Sequence, residues 1–358
     1  MVNTNEQNGF SENPFMIGYD NRIFERDETL GFRFPDGKFI TSKSFVPLEE
    51  LVREVSTGYP TFLNIGDSST SGWDSNRTFR GNQNPNSPFF SYKTYSTLLE
   101  EQLFANVFNA GVPGYTSNQG RKYLESLLKK LSRSGVKVDY VTIYLGNNDC
   151  TYNQHEDRVR LDAKMPSESA TGERVTVEDY ERNFRSMIET CRDYGVKPIL
   201  IVPPIHYDWE PGIRADTHRE ESLEGLKNLG NSQLAEESER ARVFYEEGKY
   251  EQSCEIDRVL PRLKSQYRKA LFKVAKQTGV DLIDVQNQIP STDNNEYFAD
   301  YCHPLEKTNQ MIADRIREIR NRDLFYRPML RRIKDFFGFG STKKKPRDGP
   351  PPDIYALY

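Results

Sequence analysis

The sequence predicts an α/β protein, a doubly wound three-layer α/β/α sandwich built on a five-stranded parallel sheet. Three observations carry that reading. From residue 60 onward, five short runs rich in Val, Ile and Leu recur without polar alternation, as expected of strands buried on both faces. Segments with apolar residues three and four apart separate them, the spacing of an amphipathic helix. Most of the runs end in Gly, Asn, Asp or Pro, residues that stop a strand and turn the chain.

In chain order the strands are TFLNIG (61–66), ANVFNAG (105–111), DYVTIYLG (139–146), KPILIVPP (197–204) and VDLIDV (280–285). The helices are YSTLLEEQLF (95–104), GRKYLESLLKKL (120–131), YERNFRSMIETCRDYG (180–195), RLKSQYRKALFKVAKQTG (262–279) and NQMIADRIREIRNRDLF (309–325). Gly195 and Gly279 close two of them where a left-handed C-terminal cap is expected. A βαβα alternation of this kind makes a doubly wound sheet. Ligands of such sheets bind outside the carboxyl ends of the strands, so functional residues are expected after strands and not before them.

This core is expected over 60–325. Residues 1–59 form a polar extension with a small hairpin in LGFRFPDGKFITSKSF (30–45), Pro35-Asp36-Gly37 supplying the turn. Two stretches break the alternation. Residues 150–177 are polar and aperiodic; residues 205–258 run from an aromatic loop, IHYDWEPG, through a Glu-rich segment into a helical pair, RARVFYEEGKYEQSCEID (240–257). Both follow strand ends and are expected to build a helical cap over the site, since loops this long in a compact domain are more often functional than idle. Residues 326–358 are a basic, Pro-rich tail. Its stretch 327–347 holds eight Arg/Lys against one Asp, with Met329, Leu330, Ile333, Phe336 and Phe337 interleaved. One reading is a peripheral contact with an anionic membrane or a protein partner. The simpler reading, adopted as the expectation, is a solvated trailing helix followed by a disordered KKKPRDGPPP linker.

Composition excludes several classes. With 49 Lys+Arg against 53 Asp+Glu the chain is net acidic at −4, which excludes a globally basic nucleic-acid binder. Twenty Tyr and 21 Phe supply too much apolar surface for a wholly disordered chain. The longest apolar runs are far shorter than a bilayer span. The first residues lack a charged stretch followed by an apolar one, so a cytoplasmic location is expected. Cys150, Cys191, Cys254 and Cys302 show no Cys-x-x-Cys spacing and are expected to be reduced structural thiols, with no zinc site.

Four short blocks pass the carboxyl-end test: Gly66-Asp67-Ser68; Asn109-Ala110-Gly111-Val112-Pro113-Gly114-Tyr115-Thr116; Gly146-Asn147-Asn148-Asp149; and Asp300-Tyr301-Cys302-His303-Pro304. Each is weak alone, because Gly-Asp-Ser and Asp-x-x-His recur by chance. In this order, each after its own strand, they resemble the SGNH hydrolases, the GDSL esterase/lipase superfamily. The resemblance covers roughly 60–320. One departure, Ser69 where the family name has Leu, falls at a variable position.

The resemblance implies a flavodoxin-like sheet and an ester hydrolase that needs no metal or cofactor. A serine hydroxyl needs a base to remove its proton; Ser68 is the expected nucleophile and His303 the base, suited by an ordinary pKa near ~6.5. Asp300 is expected to orient the imidazole. The oxyanion donors implied are the backbone N–H groups of Ser68 and Gly114 and the side-chain amide of Asn148. Asp67 and Asp149 are expected to brace loops. Trp73, Tyr207 and Trp209 are candidates to touch substrate, although packing within the cap competes as their role. His155, His206 and His218 are expected to be exposed loop histidines without metal-ligand spacing.

The expected reaction is hydrolysis of a carboxylic ester, with a short-acyl, acetyl ester on a carbohydrate-like or other polar substrate preferred because the cap is polar. The alternatives are an O-acyltransferase using the same site, a lipase or lysophospholipase, and a non-catalytic binding module, which fold alone does not separate.

Overall fold

The computed structural model describes residues 25–34, 37–40, 45–72, 93–151, 172–212 and 232–336. Its centre is a five-stranded sheet of β5 (Thr61–Gly66), β6 (Asn106–Gly111), β7 (Tyr140–Tyr144), β8 (Lys197–Ile201) and β9 (Asp281–Ile283). Every neighbouring pair is parallel, in the spatial order β6-β5-β7-β8-β9. In sequence terms that is 2-1-3-4-5, the flavodoxin-like order, whose direction reverses beside the first strand. All six residues of β5 and all five of β7 are buried, which is why those stretches read as mostly apolar runs without alternation.

Helices cover both faces. Against one face lie α4 (Ser117–Arg133), α5 (Val177–Asp193) and α8 (Ser265–Thr278). Leu124, Leu127, Leu128 and Leu131 of α4 share a core with Phe184, Met187 and Ile188 of α5 and Leu271 and Val274 of α8. The three- and four-residue spacing in α4 therefore buries one stripe. α3 (Tyr95–Leu103) and α9 (Glu306–Phe336) are tied where Asn309 Oδ1 accepts from the Tyr95 backbone N–H at 3.1 Å. Gly279 caps α8 at φ 67° and Gly195 follows α5 at φ 68°, as their positions imply.

The chain divides into two compact units, one through Arg317 and one from Glu318. In the second unit the described part is helical, to Phe336; residues 337–347 of the basic stretch lie outside the described residues.

The N-terminal segment departs from expectation. Its pairing lies on either side of Pro35-Asp36-Gly37: β1 (Glu25–Asp27) pairs with β2 (Gly31–Arg33), and β3 (Phe39–Ile40) with β4 (Phe45–Val46). The first turn forms because Asp27 Oδ1 accepts from the N–H groups of Thr29 and Leu30, both at 2.8 Å, and Gly31 adopts φ 82°. The chain also turns at the Pro-Asp-Gly signal, where Gly37 N–H donates to the Phe34 carbonyl at 3.0 Å, but that turn joins the two strand pairs and closes no hairpin of its own. Nor does the core begin at residue 60, since Leu30, Phe34 and Phe39 are buried in the main cluster. α1 (Leu48–Glu54) then leads into β5.

Between β8 and α8 the insertion supplies a helical hairpin, α6 (Ser232–Glu246) and α7 (Tyr250–Ile256), parted at Gly248 with φ 75°.

Candidate active site

β5 ends at Gly66, and the chain turns at once into a one-turn helix, α2 (Ser68–Ser71). Asp67 caps it, its Oδ1 accepting from the Ser69 N–H at 2.9 Å. Ser68 is thus the first residue of the helix, presented at the carboxyl end of β5. The turn lies tight on β6: a Cβ on Gly111 would come within 2.3 Å of the Ser71 nitrogen. Only glycine lets these two backbones meet.

Ser68 Oγ lies 2.7 Å from His303 Nε2. On the other side of the ring, Nδ1 lies 2.7 and 2.9 Å from the two carboxylate oxygens of Asp300. Asp300 Oδ1 also accepts from the N–H groups of Cys302 and His303, both at 3.0 Å, so the three-residue spacing closes a tight local turn. The loop is braced at its base: Ala299 donates to the His303 carbonyl at 2.8 Å and Leu305 to the Tyr297 carbonyl at 2.8 Å. Burial alone would pull the His303 pKa down. The Asp300 charge and hydrogen bond outweigh it and hold the imidazole well above its ordinary value.

Gly114 sits in a turn in which Tyr115 N–H donates to the Val112 carbonyl at 3.2 Å. Its φ of 81° is the left-handed value this turn position demands of glycine. Asn148 is buried, and its Nδ2 donates to the Tyr115 carbonyl at 3.1 Å and to Asp67 Oδ2 at 3.3 Å. The Asn148 amide therefore links the first three blocks. Asp149 accepts from Ser117 N–H with both oxygens, at 3.0 and 3.1 Å. Burial pushes Asp67 and Asp149 each up to about 6.

Supporting residues outside the four blocks carry no sequence signal. Arg174 is fully buried and donates from Nη1 to the Gly114 carbonyl at 3.0 Å. Its own N–H donates to the Thr151 carbonyl at 2.8 Å, and that of Val175 to the Asp149 carbonyl at 3.1 Å, so the end of the polar insertion returns to the block where it began. Behind α2, in the sheet, Tyr95 Oη contacts Thr70 Oγ1 at 3.5 Å and Thr142 Oγ1 at 3.0 Å, Thr142 donates to Asn64 Oδ1 at 2.7 Å, and Asn64 donates to Ser96 Oγ at 2.9 Å. Fully satisfied buried chains of this kind fix side-chain positions.

His206 is not an exposed loop histidine. It is 3% exposed, and its Nδ1 lies 2.7 Å from the Asp300 carbonyl. Burial draws its pKa below the ordinary value, which keeps the ring neutral. His155, His218 and Trp73 lie outside the described residues. Trp209 is part-exposed and meets Tyr301 edge-on at 6.2 Å, beside the Asp300–His303 loop. Tyr207 packs partly against the main core.

All four cysteines are free and buried. Cys302 Sγ lies 3.8 Å from His303 Nδ1, and burial pushes its thiol up to about 11. Among the described residues, one group could offer three metal-ligating atoms, Asp300, Cys302 and His303, within 4.8 Å of one another. Two of its members are already committed to each other by the Asp300–His303 hydrogen bond.

Comparison with known proteins bears on this geometry. The GDSL-like lipase/acylhydrolase family matches residues 62–316, the span that holds all four blocks. The chain belongs to that family. This acylhydrolase is accordingly a carboxylic ester hydrolase. Solved structures that resemble it include a lipase/acylhydrolase from Enterococcus faecalis, 20% identical over 74% of this chain and 96% of that one, with a TM-score of 0.40. Another is Axe2, an acetylxylan esterase from Geobacillus stearothermophilus, 17% identical over 73% and 93% of the two chains, with a TM-score of 0.38. No curated protein sequence matches the acylhydrolase. Among its described residues, no helix is long and apolar enough to cross a membrane.

Proposed function

We propose that the acylhydrolase cleaves its ester through an acyl-Ser68 intermediate, with His303 as general base and Asp300 as the orienting carboxylate. The observation that carries this reading is the continuous contact from Ser68 Oγ to His303 Nε2 at 2.7 Å and from His303 Nδ1 to Asp300 at 2.7 Å. Nucleophile, base and orienting group stand in hydrogen-bond reach of one another, as proton transfer demands.

Ser68 Oγ attacks the ester carbonyl while its proton passes to His303 Nε2. Asp300 holds the Nδ1 proton and stabilises the imidazolium that forms. The backbone N–H groups of Ser68 and Gly114 and the Asn148 amide receive the oxyanion. For Asn148 this exchanges the 3.3 Å bond to Asp67 Oδ2 for one to the intermediate, while the bond to the Tyr115 carbonyl keeps the amide aimed. His303 then returns its proton to the leaving alcohol. Water, deprotonated by the same imidazole, releases the acid. No step calls on a metal or cofactor.

The substrate we favour is a short-acyl, acetyl ester of a carbohydrate-like or other polar alcohol. The polar character of the 150–177 insertion supports this, as does Trp209, a part-exposed aromatic ring beside the acid–base loop that can stack on a sugar face.

The test is hydrolysis of p-nitrophenyl esters from acetyl to palmitoyl by the wild type and Ser68→Ala, with fluorophosphonate labelling alongside. Turnover and labelling should vanish together in the variant, with activity greatest on the shortest acyl chains. A profile peaking at long chains moves the substrate to a lipid ester. Labelling of Ser68 without turnover, restored by an added alcohol acceptor, makes the protein an acyltransferase. Folded wild type that neither turns over nor labels sinks the catalytic reading and leaves a binding module.

A further inference from the structure

The Asp300–His303 loop is held from below by a residue outside all four blocks. After β8, residues 202–212 pass under the loop, and His206 turns its ring up against it. Nδ1 meets the Asp300 carbonyl at 2.7 Å. The ring is stacked on Phe298, with centroids 5.0 Å apart and planes at 12°, and meets Trp209 edge-on at 5.5 Å. Phe298 in turn bridges Pro304 across the loop. The imidazole thus touches both the carbonyl of the orienting residue and the hinge of the loop that carries it.

His206 is itself anchored. Its carbonyl and that of Trp209 each accept from Arg262 Nη1 at 3.1 Å. Arg262 Nη2 donates to Asp257 Oδ2 at 2.8 Å, a pair with no solvent exposure on either side chain. Asp257 also accepts from the N–H groups of Gly212 at 3.3 Å and Val259 at 3.0 Å. One residue earlier, Ile205 exchanges two hydrogen bonds with the Gln286 side chain, at 2.5 and 3.1 Å. The backbone on either side of His206 is therefore fixed, and the ring has a set height from which to donate.

We propose that His206 is a positioning residue for catalysis, donating from Nδ1 to the Asp300 carbonyl so that the Asp300 carboxylate stays aligned on His303. This rests on the reading of Ser68, His303 and Asp300 given above. The carboxylate accepts from its own loop, from the N–H groups of Cys302 and His303 and from the His303 ring. They set the carboxylate relative to the loop, and the loop meets Ser68, which follows a different strand, through the His303 Nε2–Oγ contact that carries the proton. The His206 contact supplies a fixed reference from the β8 side. Displacing a catalytic group by about 1 Å costs on the order of 10²-fold in rate.

Two substitutions separate the donor from the ring. His206→Phe keeps the aromatic packing between Phe298 and Trp209 and removes the donor. His206→Asn keeps an N–H donor in the place of Nδ1 and removes the ring. With p-nitrophenyl acetate, His206→Phe should lower kcat by about 10- to 100-fold at an unchanged KM, and slow fluorophosphonate labelling of Ser68 in parallel. His206→Asn should recover most of both while melting at a lower temperature. If His206→Phe does not fold, His206→Leu carries the same comparison. Turnover within twofold of wild type in the donor-less variant overturns the proposal. So does an equal loss in both variants that follows only their melting temperatures, because that is scaffold and not positioning. Ser68→Ala is measured beside them: if it retains turnover, the assignment of the nucleophile has failed, a result distinct from either His206 outcome.

Discussion

The carboxyl edge of the sheet and the segment from His206 to Lys264 are built from the same kinds of residue but work differently. At the sheet edge, polar groups lie on short turns that each follow a strand: Ser68 after β5, Gly114 after β6, Asn148 after β7. Asn148 links these turns, donating to Asp67 Oδ2 beside Ser68 and to the Tyr115 carbonyl beside Gly114. In the second region, Asp257, Arg262 and Lys264 are buried and spend their hydrogen bonds on backbone groups and, for Asp257 and Arg262, on each other. Lys264 Nζ donates to the Cys254 and Asp257 carbonyls at 2.5 and 2.6 Å, and burial pulls its pKa below the ordinary ammonium value. One region presents polar groups for chemistry; the other consumes them to hold irregular chain in place.

Substitutions should therefore divide cleanly between rate and stability. The largest effect belongs to the edge. Ser68→Ala should lower kcat by about 10⁴-fold or more, with a melting temperature close to that of wild type, since the hydroxyl contributes a single hydrogen bond on a part-buried side chain. Calorimetry and p-nitrophenyl acetate turnover on the same samples measure both. A large fall in melting temperature for Ser68→Ala would break the comparison.

The next effect belongs to the buried region. Arg262→Leu leaves the Asp257 carboxylate without its partner in a site closed to water, and stranding one member of a buried pair costs about 3–5 kcal/mol. Replacing both residues with apolar ones of similar volume should recover much of that stability. Chemical denaturation of the single and double variants reads the difference. A single variant as stable as wild type would mean that the pair is dispensable to the fold.

The contrast also explains what the sequence could tell. The sheet and the four blocks were legible because their signals are local. β5 and β7 are buried along their whole length, so most of their residues are apolar, and the first three blocks lie at or just past the end of the strand that presents them. Asp300 and His303 are three apart because the turn between them closes through the Asp300 carboxylate. His206 is different. Its partner is 94 residues away, its neighbours are aromatic and acidic, and nothing within a few positions distinguishes a buried donor from a solvated loop histidine. Arg174 reaches Gly114 across 60 residues, and Arg262 reaches His206 across 56. At the N-terminus the signal was local but ambiguous: Asp27 and Pro35-Asp36-Gly37 both carry turn chemistry, and pairing across residues 28–30 is compatible with Leu30 and Phe34 entering the core.

Asn148 tests the edge at a smaller scale. Asn148→Ala removes one oxyanion donor and should cost about 10²- to 10³-fold in kcat with KM little changed. The same substitution severs the bonds to Asp67 and the Tyr115 carbonyl, and this sharpens the comparison. If the amide acts as a donor to the intermediate, the loss lies in kcat with the fold intact. If it serves only as a brace between blocks, the variant loses stability in the manner of Arg262→Leu and keeps most of its rate per folded molecule.

The smallest effect is graded with pH, and its sign follows from the Asp300–His303 pair. As the proposed base, His303 takes the Ser68 proton only when its ring is neutral. Burial favours that neutral form, but the Asp300 carboxylate and its hydrogen bond dominate and raise the pKa well above the ordinary value. Cys302 and Asp67 also face the ring, and Asp67 and Asp149, pushed up to about 6 by burial, titrate below it. The acid limb of kcat/KM should accordingly have its upper midpoint above pH 6.5, turnover falling about tenfold for each pH unit below that midpoint. Stability runs the other way. A histidine with a raised folded-state pKa contributes stability fully below its unfolded value near ~6.5 and loses that contribution as pH rises through the folded value. The protein should thus gain activity over the interval in which this pair ceases to stabilise it. Asp300→Asn removes the charge, leaves burial as the dominant influence, and should move the midpoint to lower pH while flattening the stability change. A limb that stays in place in that variant would show that the titrating group is not His303.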